Sequence, residues 1–207
     1  MQCPLCRSSK AKPFASEKSL TYFHCEDCDL RFLDSASHLS HVNEKARYDE
    51  HNNDSGDPRY RDFLRPLVQA ITARMPEGHG LDFGAGKDSP IPHMLPENFK
   101  ITPYDPNYFP DKAALARPYD FIAASEVLEH VREPDKEMKL LRSLLKPGGL
   151  LAVMTLLYKP ETDFLSWFYR RDPTHVVFYS ETTVRWLKEH YQFSKLELLS
   201  DRLFLLS

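Results

Sequence analysis

Apolar residues at Tyr60, Phe63, Leu64, Leu67, Val68 and Ile71 follow the spacing of one helix face, at i, i+3, i+4, i+7, i+8 and i+11. Asp57 ahead of them suits an N-cap and Pro58 the first helical position. Pro66 falls inside this helix and predicts a kink, because the Asp62 carbonyl loses its backbone partner there. Further on the period changes. Residues 121–124 and 150–157 are continuous apolar runs, as strands covered on both faces of a parallel sheet should be. Met138, Leu141 and Leu145, with Leu140 and Leu144 beside them, predict a helix over 134–146 that stops at Pro147-Gly148-Gly149. Pro90 and Pro92 leave room only for a short helix through Leu95, and Ser180 caps a helix through Thr183 and Leu187 to His190. Residues 195–199 and 202–206, joined at Ser200-Asp201, read as a hairpin. Strands alternating with helices predict an α/β fold with a mostly parallel sheet, finished by a C-terminal antiparallel hairpin.

The first 40 residues carry a different signal. Cys3-Pro4-Leu5-Cys6 and Cys25-Glu26-Asp27-Cys28 have the pairing and spacing of a four-thiolate zinc site, and residues 20–24 and 30–33 read as its short strands. Cys3, Cys6, Cys25 and Cys28 are therefore candidate ligands of a structural zinc; two disulfides or an iron–sulfur cluster are the other chemistries this pattern leaves open. So small a ribbon has little core, and bound metal would supply much of its folding free energy. Residues 35–57 turn polar, around the loop Asn52-Asn53-Asp54-Ser55-Gly56-Asp57. The resulting partition is a zinc ribbon over 1–40, a linker over 41–57 and an α/β domain over 58–207.

Composition narrows the classes. The 207 residues are 42% hydrophobic and 28% charged, ordinary for a globular protein of one to two domains. The net charge of −3 argues against bulk electrostatic binding of nucleic acid. In residues 1–40 Arg7, Lys10, Lys12, Lys18 and Arg31 are balanced by Glu17, Glu26, Asp27, Asp29 and Asp34. No run of 18 apolar residues occurs, and Cys3 and Cys6 stand where a signal peptide would need an apolar stretch, so membrane insertion and secretion are not expected and a cytoplasmic location is.

The candidate chemistry centres on Gly80-Leu81-Asp82-Phe83-Gly84-Ala85-Gly86-Lys87-Asp88, where an apolar run ends at an acid and turns on two glycines. Ser89 stands where a dinucleotide fingerprint would place its third glycine, so that fingerprint is not completed. Asp105 follows about 20 residues on, placed to take a ribose hydroxyl pair. Then come the segment from Tyr119 through Ser125-Glu126-Val127-Leu128-Glu129-His130 and the segment Leu144-Leu145-Lys146-Pro147-Gly148-Gly149-Leu150-Leu151.

In this order the four segments resemble the motif series of class I S-adenosylmethionine-dependent methyltransferases, in particular the broad group that includes quinol O-methyltransferases. The resemblance runs from Leu81 to the C-terminus and implies a Rossmann-like sheet. It implies that Asp82, Gly84 and Gly86 cradle the methionine and ribose part of S-adenosylmethionine and that Asp105 binds its ribose; Ser125 joins them as a cofactor contact. The family's third loop glycine falls at Asp88, and the span between Asp105 and Phe121 holds little beyond a connection where the family fits a helix and a strand. A helix before the first strand commonly helps close the cofactor pocket, and His41, Tyr48 and His51 are candidates to line that lid.

Glu126, Glu129 and His130 are expected on one face of a helical turn. The Glu-x-x-Glu-His pattern resembles the metal-binding motif of small-RNA 3′-end methyltransferases and some quinol O-methyltransferases. Carried over, Glu126, Glu129 and His130 would hold a divalent cation, with His175 a fourth ligand; His130 or His175 acting directly as acid or base is the other role this pattern allows. Phe164, Trp167, Phe168, Tyr169, Arg170 and Arg171 form an aromatic and basic insertion that reads as substrate lining or as a satellite hydrophobic cluster. All four cysteines lie in the ribbon, which removes a covalent C5-pyrimidine mechanism, and no Asn/Asp-Pro-Pro-aromatic tetrapeptide follows the strand at 121–124. The expected reaction is methyl transfer to an oxygen or carbon of a small molecule. RNA methylation, with the ribbon holding the substrate, and a non-catalytic ribbon module on a degenerate methyltransferase fold are the alternatives.

Overall fold

The computed structural model describes residues 1–50 and 54–207. In chain order the strands β1 (Ala11–Glu17), β2 (Leu20–Cys25) and β3 (Arg31–Leu33) lead to α1 (His41–Asp49) and α2 (Pro58–Thr72). Then follow β4 (Gly78–Phe83), α3 (Ile91–Met94), β5 (Phe99–Tyr104), β6 (Tyr119–Ser125), α4 (Pro134–Leu144) and β7 (Leu145–Met154). The chain ends with β8 (Val177–Phe178), α5 (Glu181–His190), β9 (Leu196–Leu198) and β10 (Leu203–Leu206). Two compact units emerge, neither continuous in sequence: Met1–Glu50 with Leu128–Lys139 and Thr155–Phe193, and His51–Val127 with Leu140–Met154 and Ser194–Ser207.

The second unit holds a six-stranded sheet in the order β5-β4-β6-β7-β10-β9. β5, β4, β6 and β7 are parallel, and β10 returns antiparallel between β7 and β9, as the hairpin pattern predicts. Helix α2 starts as expected, with the Asp57 side chain accepting from the Arg59 amide at 2.8 Å. It runs through Pro66 to Thr72 and buries Leu64, Leu67, Val68, Ala70 and Ile71 against Phe121, Ala123, Leu150 and Ala152 of the sheet. One expectation needs correction. α4 stops at Leu144, and β7 begins at once with Leu145 opposite Tyr119, then resumes register at Leu150 opposite Phe121. Pro147-Gly148-Gly149 is therefore a bulge within the strand, with Gly148 at φ +73, and β7 ends at Met154 rather than at 157. Between β5 and β6 the chain makes one 3-10 turn, Lys112–Leu115, and β5 is an edge of the sheet.

The first unit holds a four-stranded antiparallel sheet, β1-β2-β3-β8. The ribbon strands take their fourth partner from far along the chain, Arg31 opposite Phe178 and Phe32 opposite Val177. For this reason the compact units do not coincide with a partition at residues 40 and 57. The polar stretch also contains a helix: Ser40 Oγ accepts from the Asn43 amide at 3.3 Å, and Lys45 pairs with Asp49 one turn on.

Candidate functional site

In the sheet unit, the glycine loop joins the carboxyl ends of β4 and β5. Asp82 closes into the interior near the end of β4, 2% exposed, and its Oδ2 has no hydrogen-bond partner among the described residues. Burial, reinforced by the charge of Asp105 and opposed by the Ser89 hydroxyl, pushes its carboxyl up to about 6. Gly84 and Gly86 sit at φ +76 and +64, and a Cβ on Gly84 would lie 2.3 Å from Val127 Cγ2, so neither turn tolerates a side chain without strain. The Gly84 and Ala85 amides both donate to the Tyr104 carbonyl, at 2.8 and 3.1 Å. Asp105 Oδ2 accepts from the Gly86 amide at 3.0 Å, and its Oδ1 accepts from the Asn107 and Tyr108 amides at 2.8 and 3.2 Å. Three of the about four acceptor directions of this carboxylate are thus used, one on the glycine loop and two on the turn that follows β5. Ser125, half-buried at the end of β6, points its hydroxyl at Met154 Sδ, 3.9 Å away. Lys87 and Asp88 are exposed, and Asp88 accepts from the Ser55 amide at 2.9 Å.

These residues fit S-adenosylmethionine. A buried carboxylate oxygen lacking a donor suits a ligand ammonium group, the loop glycines leave backbone bare for close approach, and Asp105 keeps a direction for a hydroxyl.

Glu126 departs from the expected helical face. It lies at φ +51, its amide donates to the Met154 carbonyl at 2.8 Å, and its carboxylate accepts from Arg202 at 2.7 Å, with that guanidinium 5.5 Å over the Phe63 ring. The left-handed residue breaks any helix, so Leu128–His130 is a separate 3-10 turn.

Glu129, His130 and His175, all in the first unit, do converge: one ligand atom from each lies within 4.8 Å of the others. Glu126 is not in that group. His130 Nδ1 bonds the Thr174 carbonyl at 3.0 Å and His175 Nδ1 bonds the Tyr169 carbonyl at 2.6 Å. A carbonyl only accepts, so each ring carries a proton on Nδ1, and in the neutral ring Nε2 would be the ligating nitrogen. Glu129 is fully buried and accepts from the Tyr169 hydroxyl at 2.5 Å. That hydroxyl also meets Thr155 Oγ1 at 3.2 Å and accepts from the Leu156 amide at 3.3 Å. Tyr48 packs edge-on to His130 with ring centroids 5.3 Å apart and donates to Glu44 at 3.0 Å. Two imidazoles and one carboxylate suit a divalent transition ion. His41 is exposed, and His51 lies outside the described residues.

The cysteines form the second ligand group. Their sulfurs lie within 4.8 Å of one another, with Cys3–Cys28 at 3.6 Å and Cys6–Cys25 at 3.4 Å. Zinc–sulfur bonds of about 2.3 Å in a tetrahedron demand edges of about 3.8 Å, so the four-cysteine cluster fits a zinc ribbon. Arg7 and Asp29, each following the second cysteine of a pair, turn the chain at φ 61.

The aromatic insertion is a core. Phe164, Trp167 and Tyr169 are buried, and Phe164 meets Tyr22 at 5.0 Å, Phe14 at 5.2 Å and Phe178 at 5.3 Å between ring centroids. Arg170, also buried, donates to Glu17, to Tyr22 and to the Phe164 and Leu165 carbonyls. Phe168 and Arg171 alone of the set are exposed.

A parallel sheet whose first strand ends in a buried acid and a glycine turn, tied to an acid after the second strand, is what the resemblance to class I S-adenosylmethionine-dependent methyltransferases implies. Residues 56–198 match the sequence model of the methyltransferase domain, and the chain belongs to that family. It is 33% identical over 79 residues to the ubiquinone biosynthesis O-methyltransferase of Cereibacter sphaeroides (38% of this chain, 32% of the relative). It is 44% identical over 41 residues to that of Caulobacter vibrioides (20% of this chain, 16% of the relative). The matched segments span about a third or less of these curated relatives. Among solved structures, the fold resembles Burkholderia thailandensis 1,6-didemethyltoxoflavin-N1-methyltransferase with bound 1,6-didemethyltoxoflavin and S-adenosylhomocysteine, with TM-score 0.53 and 14% identity over 95% of this chain and 97% of that one. It also resembles CalO1, a methyltransferase of calicheamicin biosynthesis bound to S-adenosylhomocysteine, with TM-score 0.51 and 12% identity over 72% of this chain and 54% of that one. No described helix is long and apolar enough to cross a membrane.

Proposed function

We propose that this chain transfers a methyl group from S-adenosylmethionine to an oxygen or carbon of a small molecule. The observation that carries the reading is the buried, donor-less Oδ2 of Asp82 beside two glycines in left-handed conformation. Oxygen is the favoured acceptor atom because both curated relatives are named O-methyltransferases. When bound, the cofactor supplies a sulfonium-activated methyl group. In this reading Asp82 holds the cofactor's ammonium group, the Gly84–Gly86 turn admits its methionine portion against bare backbone, and Asp105 orients a ribose hydroxyl while fixing the loop. Glu129, His130 and His175 would hold a divalent cation, with Nδ1 of each ring committed to a backbone carbonyl, and such an ion would supply Lewis acidity toward an oxygen ligand. Zinc at Cys3, Cys6, Cys25 and Cys28 is structural, since four thiolates leave no open position.

The test is transfer of labelled methyl from S-adenosylmethionine to a panel of phenols, catechols and enolisable ketones, with folded RNA as a separate acceptor. Labelled small-molecule ether or C-methyl product supports the reading. Label in RNA alone, or in no acceptor despite cofactor binding, contradicts it.

A further inference from the structure

The ribbon's place in the first unit suggests what it is for. Val176 stands between His175 and β8. Its carbonyl accepts from the Leu33 amide at the end of β3, and its amide donates to the Glu129 carbonyl, both at 2.8 Å. One residue therefore hydrogen-bonds the ribbon on one side and the Glu129–His130–His175 group on the other.

Two further ties run the same way. Asp29, directly after Cys28, gathers Ser180 Oγ, His24 Nε2 at 2.7 Å and Arg31 at 3.3 Å, and so pins the cysteine knuckle to the residue that caps α5 just beyond β8. Arg170 joins Glu17 of β1 at 3.0 Å and Tyr22 of β2 at 3.4 Å. Its neighbour Tyr169 holds Glu129 through its hydroxyl and His175 through its carbonyl. Four of the five basic residues of the ribbon are also engaged: Arg7 with Asp135, Lys10 with Asp27, Lys12 with Glu26 and Arg31 with Asp29. Those pairs leave little cationic surface there for a phosphate chain to use.

We propose that the four-cysteine ribbon is a positioning scaffold for Glu129, His130 and His175, so that metal at the cysteines sets how tightly that group takes a divalent cation. The cation half of this statement rests on the reading under Proposed function; the scaffold half does not. Three of the four cysteines are fully buried, and without a metal no bond ties the two knuckles together, which loosens the turns that carry Asp29 and lead into β3. Loosening β3 releases Val176, and with it the backbone that spaces His175 from Glu129.

The experiment compares the zinc-loaded full chain with its Cys6→Ser variant by amide hydrogen exchange and by Mn²⁺ titration followed by electron paramagnetic resonance. The expected result is at least tenfold faster exchange at Leu33 and Val176 and at least tenfold weaker Mn²⁺ binding, with β4 and β6 amides still protected. Unchanged exchange and Mn²⁺ affinity in a variant that has lost its zinc overturns the proposal. If β4 and β6 also lose protection, Asp29→Asn replaces it: asparagine tolerates the left-handed backbone, the cysteines stay intact, and Val176 exchange should rise about threefold, whereas no change overturns the scaffold. Failure of the wild-type protein to bind Mn²⁺ overturns the cation half and the cation reading of the group together, while the exchange comparison still decides the scaffold.

Discussion

The glycine loop and the Glu129–His130–His175 group are held in opposite ways. The loop is local: Asp82, Gly84, Gly86 and Asp105 sit at the ends of two adjacent parallel strands, and the Gly84 and Gly86 amides donate to the Tyr104 carbonyl and the Asp105 carboxylate at the end of the second. The histidine group is assembled from afar, with His130 fixed by a carbonyl 44 residues away and Glu129 by a hydroxyl 40 residues away. A local arrangement fails where a single backbone conformation is spoiled. An assembled one fails where the scaffold that gathers it is loosened, even when its own residues are untouched.

Removing zinc should therefore have the largest effect, because structural zinc contributes on the order of 10–16 kcal/mol to small thiolate modules. Both tryptophans, Trp167 and Trp186, lie in the first unit, so their emission should shift to the red on chelation. Unchanged emission would show that the ribbon stands without metal. On the local side, Gly84→Ala sets a methyl against Val127 in a left-handed residue and should cost roughly 2–4 kcal/mol in urea unfolding.

Asp82→Asn sharpens the contrast through pH. The folded carboxyl at about 6 lies above its ordinary 3.8, so the folded state binds the extra proton between those values. This group's contribution to stability accordingly falls as pH rises from about 4 to 6, by roughly 2–3 kcal/mol, and the cost persists above. Asparagine should abolish that slope in urea titrations, and a cationic ligand should bind the wild type more tightly as pH rises through 6. Tyr169→Phe removes the hydroxyl that donates to Glu129 and should cost about 1–3 kcal/mol by urea midpoint. Arg202→Ala, which removes a partly solvated pair with Glu126, should cost under about 1 kcal/mol in the same measurement.

The same contrast explains what could be read from sequence. The helix α2, the β9–β10 hairpin, the glycine turn and the cysteine knuckles each rest on contiguous residue patterns, and each is where the pattern places it. Glu126 was expected beside Glu129 because i and i+3 share a helix face, but a left-handed residue after β6 and a pairing with Arg202 lie outside any helical periodicity. β8 is two residues long and exists only because β3 offers it an edge, so no local signal announces it. Tyr169 and Arg170 stood out as an aromatic and basic run, yet nothing in that run says that both are buried against β1, β2 and Glu129. Pro147-Gly148-Gly149 looked like a stop between elements because a bulge and a loop use the same residues.

The most direct test of the cofactor site is calorimetric titration of the zinc-loaded protein with S-adenosylmethionine, alongside Asp105→Ala. Micromolar binding, weakened by about 1–3 kcal/mol in the variant as expected for lost charged hydrogen bonds, is the predicted result. A folded wild-type protein that takes up no cofactor at millimolar concentration would contradict it.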